Sequence, residues 1–235
     1  MRALVLSGGG LFGAWQAGAW SVLADRMTPD LIVGASIGSL NGYLIASGIT
    51  PQELRDRWLD PSLARFTDLQ SNIRRMMENY KLRMPFAITA TELPRMKPRI
   101  FRDSEITWQH LAASCALPVV LPQIRIGSNW YSDGGLLGAL PSWAAAELGA
   151  KRMIGLQALP EATSWWLGQA TRAFRAVAGH NPPVPPGIDV LEIRPGHRLG
   201  SMRDTVQWKR SNIERWLEQG AADALRAVTE KTFSF

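Results

Sequence analysis

Cysteine is nearly missing from this chain. It has one, Cys115, in 235 residues. An intramolecular disulfide is therefore excluded, and the usage fits a reducing compartment. The thiol stands in the apolar run LAASCALPVV and reads as a buried structural residue rather than a reactive one. Long apolar runs are missing as well. The longest candidate, Leu111 to Leu121, is broken by Pro118 and falls short of the ~18 residues a membrane span needs. In MRALVLSGGG the apolar run is too short for a signal peptide, because glycines arrive at once. With no span and no leader in the reading, a cytoplasmic protein is expected. Histidine is scarce too: only His110, His180 and His197 are available as imidazole bases.

What is present describes an ordinary globular protein. Hydrophobic residues make up 46% and charged residues 20%, enough for one domain over residues 1–235 with a sizeable core. The net charge of +6 is unevenly placed. From Arg55 to Arg102 eleven Lys and Arg face five Asp and Glu, so the whole excess lies in that segment. Such a basic face attracts anionic surfaces, either phospholipid headgroups or nucleic acid. The ten tryptophans tip the reading toward a lipid interface, and nucleic acid is not expected. Trp15, Trp20, Trp58, Trp165 and Trp166 are the candidates for that contact.

The chain alternates short apolar strands with helical patterns. ALVLS and DLIVGA read as buried strands, each followed by a helix, GAWQAGAWSVLADRM and GSLNGYLIASG. Thr50, Pro51 and Glu53 form the cap of a further helix. FAITATEL and PRIFRD read as strands, DSEITWQHLAASCA as a helix, and QIRIGSNWYSDGG as a hairpin. PSWAAAELGA and SWWLGQATRAFRAVAG read as helices, KRMIGLQAL and IDVLEIRPG as strands, and residues 204–229 as largely helical. This order predicts an α/β fold: a mainly parallel sheet between helices, with a helical cover over residues 48–84 after the second helix.

Two glycine motifs carry the chemistry. SGGGLFG follows the first strand and places Gly8, Gly10 and Gly13 in the spacing of a dinucleotide fingerprint, so a nucleotide-binding module is a real alternative. The acidic residue that should close the second strand and hold a ribose is not there. Asp30 precedes that strand, and GASIG follows it. GASIG is a Gly-x-Ser-x-Gly pentapeptide, a pattern that arises by chance in roughly one chain in ten of this length. Here it lies between a strand and a helix, which makes Ser36 a candidate nucleophile on a tight turn. The glycine loop would then offer backbone N–H groups to an oxyanion. A serine needs a base. His197, just past the last strand, and Asp133, in YSDGG, divide that role evenly on spacing alone.

In order along the chain, GGGLFG, GASIG, ASCALP and YSDGGLLGALP resemble the patatin-like phospholipases, specifically a small bacterial-type member. The resemblance runs from the first strand to the helix after DGG, and more faintly onward. It implies a patatin-like three-layer fold and a Ser–Asp dyad without a catalytic histidine: Ser36 as nucleophile and Asp133 as base. The N–H groups of Gly8, Gly9 and Gly10, with Ile37, would form the oxyanion hole. It further implies hydrolysis of lipid acyl esters with no metal and no cofactor. The family usually carries Arg or Lys in the glycine loop where this chain has Phe12, which turns the expected substrate toward a neutral ester or lysolipid.

Overall fold

A computed structural model describes residues 1–64, 68–118, 120–159 and 180–230. Its strands are β1 (Arg2–Leu6), β2 (Leu31–Ala35), β3 (Phe86–Leu93), β4 (Lys97–Arg102), β5 (Ile124–Ile126), β6 (Asn129–Ser132), β7 (Arg152–Leu156) and β8 (Asp189–Ile193). They form one sheet in the order β5-β6-β3-β2-β1-β7-β8, with β4 paired to β3. The five strands from β3 across to β8 run parallel, and β4 and β6 pair antiparallel to β3.

The helices are α1 (Gly13–Leu23), α2 (Ile37–Ala46), α3 (Pro51–Leu59), α4 (Leu69–Asn79), α5 (Trp108–Ser114), α6 (Ser142–Glu147) and α7 (Arg210–Glu230). Strand side chains alternate between two faces. Leu4, Leu6, Ile32, Phe86, Ile88, Ile154 and Leu156 point into a core shared with α1, α2 and α7, where Trp15 and Trp216 are fully buried. Ala3, Val5, Val33, Ala87 and Met153 point the other way, onto Trp143, Ala144 and Ala145 of α6. The three-layer expectation holds, with larger residues on the α1/α2/α7 face. Each fully buried Leu or Ile there is worth roughly 2 kcal/mol.

Local signals behave as their chemistry dictates. Thr50 caps α3 with a capping box to Glu53, and Pro51 takes the first helical position. Helix α2 ends where Gly48 turns left-handed at φ 82°, as expected of a glycine just past a helix end. The region expected to be helical from residue 204 differs in detail. A 3-10 turn, Met202–Thr205, precedes α7, whose first residue is Arg210. The expected helix SWWLGQATRAFRAVAG, with Trp165 and Trp166, lies outside the described residues. Helices α3 and α4 follow α2 as predicted. Helix α3 rests on α1 and α7, and α4 rests on α5.

Candidate active site

Parallel sheets of this type place ligands at the carboxyl ends of their strands, where the chain order reverses. Here the order reverses between β1 and β7, so that crevice opens beside the loop after β1, and the turn after β2 lies on the other side of that loop. The first holds Gly8–Gly10 and the second holds Ser36.

Ser36 has φ 52° and ψ −128°, a left-handed conformation that is strained for a residue with a side chain. Its surroundings hold it from both sides. Its N–H donates to Ser114 Oγ at 2.9 Å. Its carbonyl accepts the N–H of Ser39 at 2.8 Å and the Ser39 hydroxyl at 2.6 Å. A Cβ on Gly38 would collide with the backbone of Leu6 and Ser7, so only glycine lets α2 start this close to β1.

Asp133 reaches the same place by a different route. Strand β3 is longer than β2: Phe86–Thr89 pair with Ile32–Ala35, and the rest of β3 runs on past the end of β2. Strand β4 covers one edge of β3 from Ala87 to Glu92. A strand has only two edges, so β6, which pairs with Thr91–Leu93, occupies the same edge as β2, beyond its end. The two strands therefore meet head to head. Ala35 lies opposite Thr89 and Ser132 opposite Thr91. The next residue of each strand, Ser36 and Asp133, falls at the level of Ala90.

Helix α5 pins this arrangement. The last carbonyls of a helix have no partner inside it. The Ser114 carbonyl accepts the Gly134 N–H at 3.0 Å, and just beyond the helix the Ala116 carbonyl accepts the Asp133 N–H at 3.1 Å. Thr91 Oγ1 donates to the Asp133 carbonyl at 2.9 Å. A side chain at Gly134 would run into the Thr89 carbonyl. The Asp133 side chain is 4% exposed, and Oδ1 accepts the Gly135 N–H at 2.7 Å. Burial pushes its pKa up to about 6, against the opposing pull of the Ser36 hydroxyl and the Gly135 N–H. Cys115 lies beside it. Its thiol is held above the ordinary cysteine range by burial and by the neighbouring Asp133 carboxylate, and so stays protonated, as the structural reading of that residue expects.

Among the described residues no acceptor takes the N–H of Gly9, Gly10 or Ile37, and Gly9 and Gly10 carry φ 157° and 55°. Gly8 departs from the expectation. It lies beside Ser36, but its N–H donates to the Ala139 carbonyl at 3.0 Å and is closed to an oxyanion. Phe12, in place of the family's cation, is 2% exposed and packs edge-on against Trp216 at 5.0 Å between ring centroids. The position is thus turned into the core and not toward a headgroup.

The other candidates fall elsewhere. His197 is exposed, with no ring hydrogen bond among the described residues. His110 accepts the Thr107 N–H at 3.2 Å, packs on Phe101 and is held below its ordinary pKa by burial. His180 is exposed. Asp30 pairs with Arg2 at the opposite end of the strands. Of the tryptophans expected to meet a membrane, Trp15 and Trp20 are buried at 0% and 7% exposure. Their helix buries nine of its eleven residues and packs between the sheet and α7. Trp58 is half-buried, and its Nε1 donates to Asn41 at 3.1 Å.

That last bond belongs to a network the sequence reading missed. Asn41 Nδ2 donates to Gln16 Oε1 at 3.0 Å, and Gln16 Nε2 donates to the Ser7 carbonyl at 2.7 Å. The glycine loop, α1, α2 and α3 are thereby joined through buried polar groups. The signal available was Gln16 itself, a lone polar residue in the otherwise apolar GAWQAGAW. A separate cavity of about 910 Å³ lies between α4 and the start of α5, lined by Tyr43, Arg74, Met77 and Trp108 among others. None of the predicted site residues lines it.

A strand–turn–helix serine beside a glycine loop, at the carboxyl ends of a mainly parallel sheet between helices, defines an α/β architecture. The family model described as Patatin-like phospholipase matches residues 4–96 and 83–146. The chain belongs to the patatin-like phospholipase family. It is 28% identical over 179 residues to Patatin-like phospholipase domain-containing protein 6 of Homo sapiens, a match spanning 66% of this chain and 13% of that protein. It is 30% identical over 180 residues to Lysophospholipase NTE1 of Debaryomyces hansenii, spanning 65% of this chain and 11% of that one. The chain thus matches about an eighth of the length of these relatives. The solved structure of VipD from Legionella pneumophila shares the fold, with a TM-score of 0.58 at 13% identity, covering 97% of this chain and 67% of that one.

Proposed function

We propose that this chain hydrolyses carboxylic esters of lipids, as a phospholipase A, lysophospholipase or carboxylesterase, through an acyl-enzyme on Ser36. The observation that carries the reading is the head-to-head meeting of β2 and β6, which sets a strained serine against a buried carboxylate. Asp133 accepts the proton of Ser36 Oγ as the oxygen attacks the ester carbonyl carbon. The carbonyl electrons move onto its oxygen, and the free N–H groups of Gly9, Gly10 and Ile37 stabilise that charge, aided by the start of α2. Collapse breaks the bond to the alcohol, which leaves with the proton from Asp133. Water, deprotonated by the same carboxylate, then attacks the acyl carbon, and collapse breaks the bond to Ser36 Oγ, which takes the proton back from Asp133 as the fatty acid leaves. Each step uses this chain's own groups, with no metal and no cofactor. A raised pKa suits Asp133 to this work, since an ordinary carboxylate at ~3.9 is a feeble base.

The nucleotide-binding reading has less support. The Gly8 N–H is engaged by the Ala139 carbonyl, and Asp30 is tied to Arg2 at the opposite end of the strands. His197 as base has no carboxylate partner among the described residues. A fluorophosphonate probe followed by a panel of phospholipid, lysolipid and neutral esters tests the proposal. Labelling at Ser36 and turnover of at least one lipid ester are expected. Folded protein that takes no label would remove the enzyme reading, and tight nucleotide binding would promote its rival. We further propose a cytoplasmic working place, which the single cysteine fits, with peripheral contact to anionic membrane.

A further inference from the structure

A lipid hydrolase must meet an interface, and the basic cover was the expected contact. The structure points to a different part of the surface. Large apolar side chains rarely stay in water in groups without a use. Leu117, Val120 and Trp130 are exposed by 42%, 45% and 50%, and they lie at the site. Leu117 directly follows Ala116, whose carbonyl holds the Asp133 N–H, and the turn containing Val120 leads into β5. Trp130 lies two residues before Ser132, so both side chains stand on one face of β6. That face looks onto the same turn, because the Ser132 hydroxyl donates to the Ala116 carbonyl at 2.9 Å.

Cations surround this apolar group. Trp130 pairs with Leu93 on one side and Arg125 on the other. Leu93 leads into the β3–β4 turn, which carries Arg95, and Lys97 opens β4. Arg95, Lys97 and Arg125 are exposed and have no carboxylate partner among the described residues. Glu92, the acidic residue at this end of β3, is taken by Arg99 at 3.4 Å. Aromatic and aliphatic tips ringed by unpaired cations match the boundary of an anionic bilayer, where tryptophan sits at headgroup depth and basic residues meet phosphate.

We propose that the β3–β4 turn with the start of β4, the β5–β6 hairpin and the exposed side chains of Leu117 and Val120 together form the surface by which this chain lies on an anionic lipid bilayer, with Ser36 and Asp133 facing the membrane side. The proposal rests on the lipid-ester reading for its purpose, but its test does not. The full chain is sedimented with vesicles of phosphatidylcholine alone and of phosphatidylcholine mixed with phosphatidylglycerol, and hydrolysis of a short soluble ester is followed in parallel. The triple variant Arg95→Glu, Lys97→Glu, Arg125→Glu should bind mixed vesicles about a hundredfold more weakly, each basic residue at the surface being worth roughly fivefold. Leu117→Ser with Trp130→Ser should weaken binding to both vesicle types. Both variants should keep soluble-ester turnover within a few-fold, and Arg74→Glu with Arg75→Glu on α4 should bind as the parent does. Parent-like vesicle binding by both patch variants, or loss confined to the α4 variant, would overturn the proposal. Vesicle binding through the patch by a chain that turns over no ester would sink the catalytic reading and leave this surface standing.

Discussion

The two halves of the proposed dyad are built by opposite means. Ser36 is delivered by a strand, a tight turn and a helix in unbroken sequence, and its strain is held by Ser39, three residues on, and by Ser114. Asp133 has no helix behind it. A short antiparallel strand returns it along β3, and it stays in place because Thr91, Ser114 and Ala116, all distant in sequence, grip its backbone. The serine half is a local motif reinforced by tertiary contacts. The aspartate half is a tertiary construction from the start.

The largest effect separates the two halves by role. Ser36→Ala should cost at least ~10⁴-fold in turnover and abolish fluorophosphonate labelling, because the covalent route disappears. Asp133→Asn should cost at least ~100-fold, the low end for removing a general base, while labelling persists slowly. The same substitution should stabilise the fold at neutral pH. The folded pKa of about 6 lies above the ~3.9 of an unfolded aspartate, so the folded chain binds this proton more tightly. The contribution is fully present below about pH 4 and is lost as the pH rises through about 6. At pH 8 the ionised, buried carboxylate costs at most ~3 kcal/mol, and urea midpoints of parent and Asn variant measured from pH 4 to pH 8 should diverge accordingly.

Activity carries the opposite sign. The base works only when ionised, so kcat/KM for a neutral ester should rise with pH through a midpoint near 6 and then level off. A profile with a midpoint at the ordinary carboxylate value would show that burial does not tune Asp133.

Ser114 sharpens the comparison because it touches both halves, Ser36 through its hydroxyl and Gly134 through its carbonyl. Ser114→Ala removes only the first contact and leaves a half-buried N–H without its partner, a loss of about 1–3 kcal/mol. A roughly tenfold fall in labelling rate, partly restored by Ser114→Thr, is expected. Labelling at the parent rate would mean that the Ser36 turn holds its strain unaided. The smallest effect belongs to His197→Gln, which should stay within a few-fold of the parent. A dead His197→Gln enzyme beside an active Asp133→Asn one would replace the dyad with a Ser–His system.

The degree to which each part was legible follows the same division. The strand–turn–helix around Ser36, the cap at Thr50 and the end of α2 at Gly48 could all be read directly, since residues within a few positions of one another decide them. Asp133 and His197 could not be separated by spacing; the family resemblance favoured the aspartate, as did the two glycines beside it and the lack of a carboxylate next to His197. Trp15 and Trp20 were misplaced because an indole suits a core as well as an interface, and only the position of their helix between the sheet and α7 distinguishes the two. Leu117, Val120 and Trp130 gave no periodic signal at all.

By itself, then, the sequence determined the alternation of elements, the parallel α/β class and the turn that presents Ser36, because propensity, glycine geometry and capping act over a few residues. The tertiary structure alone decided that β3 outruns β2 and leaves room for β6 on the same edge, which brings Asp133 level with Ser36. It also decided that Ala139 takes the Gly8 N–H while those of Gly9, Gly10 and Ile37 find no acceptor among the described residues. Those outcomes depend on strand register and on hydrogen-bond partners remote in the chain, and no local pattern of residues encodes either.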